Sequence, residues 1–244
     1  MKKKIIALVC CRGNSRGIPN KNIKIFHNKP LLYWTYRFLR QSMIFDHLIL
    51  STDNKKIAKI GKRLGFFIPG LRPKYLARAN SDQFETHKYI FKSLKITDKN
   101  HLVCVVNNNP FITALDIKKS FAIFKKQNFS KIVCDAVRIH SDYYFLKQCK
   151  ISGKKLNYLF NKDFKKSRIN RSNTPASYVN IFNIRWGLPS FLKSYAVFKS
   201  KLINEGNYFI MLPKKRNFDL DDEEDWYIGE NIFKKLISDK NFIT

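Results

Sequence analysis

Short apolar runs alternate with amphipathic helical segments along most of this chain, and this alternation restricts the possible fold most strongly. Residues 5–9 form an apolar run behind a lysine-rich start, and residues 102–106 are apolar throughout. A run with no polar face is typical of a central strand in a sheet that helices cover on both sides. Apolar residues recur at helical spacing between such runs, as in residues 31–39. The sequence therefore predicts an α/β fold with a doubly wound, mostly parallel sheet.

The same patterns set approximate element boundaries. We expect strands over about residues 4–10, 47–50, 66–68, 102–106, 131–137, 178–184 and 207–212. We expect helices over about residues 30–43, 54–64 and 84–95, and further helices that begin at Thr113 and Asp222. A length of 244 residues suits one α/β domain, residues 1–244. The pattern weakens from about residue 140 to 185, which predicts a segment that protrudes from this domain.

The loop over residues 10–22, CCRGNSRGIPNKN, leaves the carboxyl end of the first predicted strand. Ligands of open α/β sheets bind at such strand ends. The loop combines one hydroxyl, two glycines and three cations: Ser15, Gly13, Gly17, Arg12, Arg16 and Lys21. Glycines allow backbone amides to approach a phosphate closely, and the cations balance its charge. The pattern is neither a Walker loop nor GxGxxG. We interpret it as a polyphosphate site; the alternative is a basic loop without a ligand.

Two carboxylates near the end of the chain form a second candidate site. Asp219 and Asp221 are two residues apart, so in an extended backbone both side chains lie on one face while Leu220 lies on the other. Two convergent carboxylates suit Mg²⁺, which keeps several waters and also takes phosphate oxygens. The alternative is an acidic helix start, which accounts for residues 222–225 but not for Asp219.

The chain carries a net charge of +29, from 47 basic and 18 acidic residues. Such an excess normally suggests a nucleic-acid partner. Here the lysines are spread along the whole chain, and Asn, Ile and Phe are also abundant, as the codon usage of an AT-rich genome produces. The local concentrations are residues 162–171 and 214–216. We therefore expect no specific nucleic-acid partner.

Cysteine usage and hydropathy indicate the compartment. The five cysteines are odd in number and lack CxxC spacing: Cys10, Cys11, Cys104, Cys134 and Cys149. Buried free thiols in a reducing cytoplasm, with no structural metal, fit this pattern. No apolar run reaches the ~18 residues of a membrane span, and the N-terminal run is short for a signal peptide. We expect a cytoplasmic protein that does not bind membranes.

The glycine loop resembles the N-terminal signature of the acylneuraminate cytidylyltransferases, the CMP-sialic acid synthetase family, which runs roughly A-R-x-G-S-K-G-[IL]-P-x-K-N. The matching residues are Arg12, Gly13, Ser15, Gly17, Pro19, Lys21 and Asn22. Asn14 stands where the family has the glycine directly before its serine, and Arg16 replaces the usual lysine. Residues 219–225 are similar to the family's D-[IL]-D-T-E-E-D metal motif, with Asp222 in place of the threonine.

Weaker matches lie between the two ends. Residues 51–53, Ser-Thr-Asp, look like the family's S-T-D, although a helix N-cap accounts for them equally well. Arg72 lies in a segment similar to L-R-P-x-x-L-A, a loop near the cytosine in the family. Residues 168–178 resemble R-R-Q-x-L-P-x-x-Y, which precedes the family's sugar site.

The resemblance implies a Rossmann-like nucleotidyltransferase fold and a Mg²⁺-dependent reaction. CMP would pass from CTP to a nonulosonic (sialic-type) acid, with release of pyrophosphate. It implies a homodimer in which residues 140–185 dock. It implies catalytic roles for Arg12, Lys21 and Asp221, and Mg²⁺ ligation by Asp219 and Asp221. The implied nucleotide site comprises Arg12, Gly13, Ser15, Gly17, Lys21, Asn22 and Arg72. The implied sugar site comprises Asn107, Arg168, Arg171 and Tyr178.

One segment departs from the family. Where Q-P-T-S-P-L-R is common, residues 106–112 read VNNNPFI, so Val106 occupies the glutamine position and Ile112 the arginine position. The Pro-Phe-Ile ending looks more like the pseudaminic acid branch, and the glutamine position touches the sugar in the family. Two alternatives therefore stay open: another sugar nucleotidyltransferase such as a KDO-type enzyme, and a non-catalytic basic binding protein on the same scaffold.

Overall fold

The structure is a computed structural model that describes residues 2–15, 17–78, 80–138, 149–152, 155–158, 178–239 and 242, with the backbone alone at 149–152 and 155–158. In chain order, the first half contains β1 (Lys4–Cys10), β2 (Ile25–Phe26), β3 (Lys29–Pro30), α1 (Leu31–Ser42), β4 (His47–Ser51), α2 (Lys55–Leu64), α3 (Gln83–Ser93) and β5 (His101–Val106). The second half contains α4 (Ala114–Lys126), β6 (Val133–Arg138), β7 (Cys149–Ser152), β8 (Lys155–Tyr158), β9 (Tyr178–Gly187), α5 (Pro189–Leu192), α6 (Tyr195–Glu205), β10 (Tyr208–Met211) and α7 (Glu223–Ile237).

In the described part of the chain, six strands form the central sheet in the order β10-β6-β9-β5-β1-β4. β1 pairs in parallel with β4 and β5, and β10 pairs in parallel with β6. β9 runs antiparallel to both of its neighbours, β5 and β6. These pairings confirm the predicted mostly parallel α/β sheet. From β1 the chain passes to β4 on one side of β1, and it then returns to β5 on the other side of β1. The carboxyl ends of β1 and β5 therefore flank a topological switch point, where open α/β sheets bind ligands.

Apolar side chains of the sheet divide between two cores because successive strand residues point to opposite faces. In β1, Ala7 and Val9 join the core formed with α1, α4 and α7, while Ile6 and Leu8 join the core formed with α3, α5 and α6. Each of these four side chains is almost completely buried. Helices thus cover both faces, which is why residues 102–106 carry no polar side chain.

Several elements differ from the sequence-based expectation. Residues 66–68 form no strand; Phe67 makes a single bridge to Ile49, because the chain turns away through Pro69 and Gly70. α6 is a helix that the sequence did not indicate, since Phe198 is its one buried residue and its apolar stripe is therefore weak. No helix in the described part of the chain has the length and apolarity that a membrane span requires.

The segment predicted to protrude, residues 140–185, falls mostly outside the described residues. Within it, β7 and β8 form an antiparallel hairpin in which Cys149 pairs with Tyr158. Residues 178–185 belong to β9 and lie in the central sheet. The proposed docking role of this segment stays a prediction.

Candidate active site

A cavity of about 540 Å³ opens at the carboxyl ends of β1 and β5. The glycine loop, the asparagine-rich residues after β5, one residue of β9 and the carboxylate segment before α7 all contribute to its wall. The lining residues are Cys10, Arg12, Ser15, Gly17, Ile18, Lys21, Asn22, Asn107, Asn108, Asn109, Pro110, Asn183, Asp219, Leu220 and Asp221. The two segments that the sequence singled out, almost 200 residues apart, thus line one cavity.

Hydrogen bonds hold the glycine loop at both ends. The Gly13 amide donates to Asp53 Oδ1 at 2.9 Å, and Asn22 Nδ2 donates to the Arg12 carbonyl at 2.9 Å. Asn22 Oδ1 in turn accepts from Asn108 Nδ2 at 2.9 Å. The amide nitrogen and the amide oxygen of the buried Asn22 side chain therefore each make a hydrogen bond within the protein. A predicted nucleotide contact by Asn22 would use the remaining N–H of its amide.

Gly17 brings the loop against the carboxylate segment. A Cβ atom at position 17 would lie 1.6 Å from the Asp221 carbonyl oxygen, so only glycine allows this approach. Lys21 Nζ lies 3.5 Å from Asp221 Oδ1 in the same region. The contact places cations of the loop next to carboxylates that come from the other end of the chain.

The two predicted metal ligands both line the cavity, and Leu220 between them borders it as well but is buried in the core. Burial raises the pKa of Asp219, the negative charge of Asp221 raises it further, and Lys21 opposes both. α7 begins directly after this segment, and its N-cap is Asp222, which forms a capping box with Asp225. The acidic run therefore has two roles: Asp219 and Asp221 line the cavity, whereas Asp222 and Asp225 cap α7.

One observation indicates that these residues suit Mg²⁺. The carboxylates of Asp219 and Asp221 lie close enough to repel each other, as the effect of Asp221 on the pKa of Asp219 shows. A divalent cation between Asp219 and Asp221 would relieve this repulsion. No group of three or more His, Cys, Asp or Glu side chains suited to a metal occurs among the described residues. Mg²⁺ does not need such a group, because it takes its remaining ligands from water and phosphate. The metal assignment stays a prediction.

Asparagines after β5 connect the loop, β9 and the carboxylate segment. Asn109 Nδ2 lies 3.2 Å from Asn183 Oδ1 and 3.2 Å from the Phe218 carbonyl, and its Oδ1 accepts from the Phe111 amide at 2.8 Å. Asn109 therefore holds the backbone directly before Asp219. Val106, at the family's glutamine position, is buried in the core, whereas Asn107 reaches the cavity.

Arg72 lies in a smaller cavity of about 240 Å³, which shares Cys10 and Arg12 with the larger one. Its Nη2 is 3.6 Å from Asp53 Oδ1, and its Nη1 lies 3.4 Å from Thr86 Oγ1. Burial raises the pKa of Cys10 to about 11, against the opposing charges of Arg72 and Arg185. A thiol with this pKa is neutral at physiological pH and is a poor nucleophile.

The predicted residues divide into four groups. Those that line the large cavity are Arg12, Ser15, Gly17, Lys21, Asn22, Asn107, Asp219 and Asp221. Gly13 does not line this cavity but directly follows Arg12, which does, and Arg72 lines the neighbouring cavity. Tyr178 lines neither; it lies at the start of β9, paired with Arg138, with 56 % of its surface exposed. Arg16, Arg168 and Arg171 lie outside the described residues.

Sequence reasoning missed three residues that organise the site. Asp53 holds the Gly13 amide, and the N-cap of α2 is its neighbour Asn54; the S-T-D match was the available signal. Asn109 belongs to the asparagine run, but nothing in the sequence separates it from Asn107. Arg185 donates to Asn107 Oδ1 from inside the sheet, and no motif contains it.

The fold and the site together define an α/β protein of the nucleotidyltransferase class. The chain belongs to the cytidylyltransferase family, whose model matches residues 6–185.

Curated relatives agree with this family. The chain is 29 % identical over 50 % of its length to a Helicobacter pylori protein named pseudaminic acid cytidylyltransferase and UDP-2,4-diacetamido-2,4,6-trideoxy-beta-L-altropyranose hydrolase, and it covers 23 % of that protein. It is 29 % identical over 57 % of its length to an N-acylneuraminate cytidylyltransferase of Oncorhynchus mykiss, of which it covers 32 %. It therefore spans less than a third of these two relatives. It is 23 % identical to the post-translational flagellin modification protein B of Campylobacter coli, over 98 % of this chain and 99 % of that protein.

A solved structure of CMP:2-keto-3-deoxy-manno-octonic acid synthetase in complex with CTP shares the fold. The TM-score is 0.68 at 10 % identity, and the match covers 96 % of this chain and 99 % of that one. At this identity the likeness supports the fold alone.

Proposed function

We propose that this chain transfers CMP from CTP to a nonulosonic acid and releases pyrophosphate. The observation that carries the proposal is the single cavity in which the cations of the glycine loop lie beside the carboxylate pair, at the switch point of the sheet. Cations suit a triphosphate, and two carboxylates suit the divalent ion that accompanies it. The names of the relatives supply the acceptor class.

Arg12, Lys21 and the amides of the glycine loop would hold the triphosphate. Phosphoryl-type transfer has a loose transition state, so the protein acts mainly by positioning the reactants and neutralising charge. Arg12 and Lys21 would stabilise the pyrophosphate as it gains charge on leaving. The Gly13–Asp53 and Asn22–Arg12 hydrogen bonds keep the loop in place before the nucleotide arrives.

Asp219 and Asp221 would hold Mg²⁺, with Asn109 fixing the backbone before them. A bound Mg²⁺ ion at these carboxylates would neutralise charge on the phosphate oxygens. In the same proposal, the sugar hydroxyl attacks the α-phosphate in line from the part of the cavity that Asn107 lines. Arg168 and Arg171 are the proposed ligands of its carboxylate, because a guanidinium matches a carboxylate bidentately. We also infer from the family resemblance that the protein is a homodimer, which light scattering on a sizing column tests.

A pyrophosphate-release assay tests the function directly. The purified chain is incubated with Mg²⁺, one of the four nucleoside triphosphates, and either N-acetylneuraminic acid, pseudaminic acid or KDO as acceptor. We expect turnover with CTP and a nonulosonic acid. Turnover with KDO alone would assign a KDO-type enzyme, and the absence of CTP binding by calorimetry would favour a non-catalytic binding protein.

A further inference from the structure

Arg185 is a buried cation inside the sheet. It lies on β9 opposite Val105 of β5 and Cys134 of β6, and 6 % of its surface is exposed. Its Nε has no hydrogen-bond partner among the described residues. Burial lowers the pKa of Arg185, and the carboxylate of Asp135 opposes this shift only in part, without an ion pair or hydrogen bond to Arg185 among the described contacts. Burying a charge with so little compensation is costly, so a structural role alone does not account for it.

The guanidinium contacts side-chain amides. Its Nη2 donates to Gln83 Oε1 at 3.0 Å and to Asn107 Oδ1 at 3.3 Å. An arginine carries donors and no acceptor, so the amide atom that faces it must be oxygen. The Asn107 amide nitrogen therefore faces away from Arg185, and it has no acceptor among the described residues. Because Asn107 lines the large cavity, this nitrogen is available to donate into it.

We propose that Arg185 is a positioning residue that selects an acidic acceptor: it commits Asn107 to donate a hydrogen bond into the cavity. Without Arg185, the Asn107 amide is free to rotate by 180° and to present its oxygen, which repels a carboxylate. The buried guanidinium also places a positive charge directly behind the donor. This inference rests on the proposed function and deepens it, because it assigns the preference for an acid to a residue that does not touch the substrate.

Two variants separate positioning from structural support. Asn107→Asp keeps an oxygen toward Arg185 and makes that hydrogen bond charge-assisted, but it removes the donor and places a negative charge in the cavity. Arg185→Met keeps a side chain of similar length and removes the charge. Hydrogen bonds to charged groups contribute about 1.5–3 kcal/mol, so we expect the KM for the acid to rise roughly 10- to 100-fold in both variants. Arg185→Lys keeps the charge and one donor, and we expect it to recover part of this loss.

The assay measures KM for CTP and KM for the acid separately, with N-acetylneuraminic acid, its neutral methyl ester and pseudaminic acid as probes. We expect the KM for CTP to stay within about 2-fold, and the preference for acid over ester to shrink in Arg185→Met. Asn180→Asp is the matched control. It introduces the same charge as Asn107→Asp, on the strand that carries Arg185, but Asn180 pairs with Asn207 and does not line the cavity.

The outcomes are distinct. An unchanged KM for the acid in both Asn107→Asp and Arg185→Met overturns the inference while the proposed function stands. Equal rises in the two KM values, together with a lower melting temperature, assign Arg185 a structural role and also overturn it. If the wild-type protein turns over neither acid with CTP, the proposed function itself fails, and this inference fails with it.

Discussion

Replacing Gly17 with alanine tests whether the glycine loop and the carboxylate segment work as one site. The new Cβ would lie 1.6 Å from the Asp221 carbonyl oxygen, and contacts of real Cβ atoms essentially never fall below 3.0 Å. The obstacle is backbone, so the loop and the segment before α7 must separate by more than an ångström. A misplacement of about 1 Å in an active site costs about 100-fold in rate. We therefore expect kcat/KM to fall at least ~100-fold, which corresponds to about 2.7 kcal/mol of transition-state stabilisation.

The assay is steady-state pyrophosphate release at saturating Mg²⁺, with circular dichroism to confirm the fold. Gly206→Ala is the control. Gly206 has a positive φ of 66°, but no atom of the described part of the chain lies within 4 Å of an added Cβ, so alanine there adds backbone strain without displacing a described neighbour. We expect that variant to lose about 1 kcal/mol of stability and to keep its kinetics. Wild-type kcat/KM in Gly17→Ala would show that the contact between loop and carboxylates is irrelevant to the reaction.

Three further predictions follow from the site and the core. Asp221→Asn should lower turnover at least ~100-fold with the fold intact, because it removes one of the two negative charges that would hold Mg²⁺; a near-normal rate at limiting Mg²⁺ would contradict the assignment. Arg12→Ala should raise the KM for CTP and lower kcat, because Arg12 is proposed to bind the triphosphate and to stabilise the leaving pyrophosphate. Unaltered CTP kinetics in this variant would show that the triphosphate binds at another site. Burial lowers the pKa of His87 to about 3, and its Nδ1 donates to the Leu192 carbonyl at 2.8 Å. Below about pH 6.5 the unfolded chain protonates this histidine and the folded chain does not, so the contribution of His87 to stability should fall by about 2 kcal/mol between pH 7.5 and pH 5. Urea unfolding of the wild-type chain and of His87→Asn at both pH values measures this loss. It is the part of the pH dependence of the unfolding free energy that the substitution removes.

The sequence by itself determined the alternating elements and the two chemical segments. The apolar runs at residues 5–9 and 102–106 lie in central strands, and the capping box at Thr113 and Asp116 begins a helix, as predicted. These signals are local, because hydrophobic periodicity and capping depend on residues within one or two turns of each other. Asp219 and Asp221 also share a surface, as their spacing of two predicted.

The tertiary structure decided how these segments meet. Three contacts join residues that are far apart in sequence. Gly17 packs against the backbone of Asp221, the Gly13 amide donates to Asp53, and Arg185 donates to Asn107. Each depends on strand order and register. A shift of one residue in the β5–β9 pairing would turn Arg185 to the opposite face of the sheet and away from Asn107. No local pattern encodes such a contact, because it arises only when separate elements pack against one another.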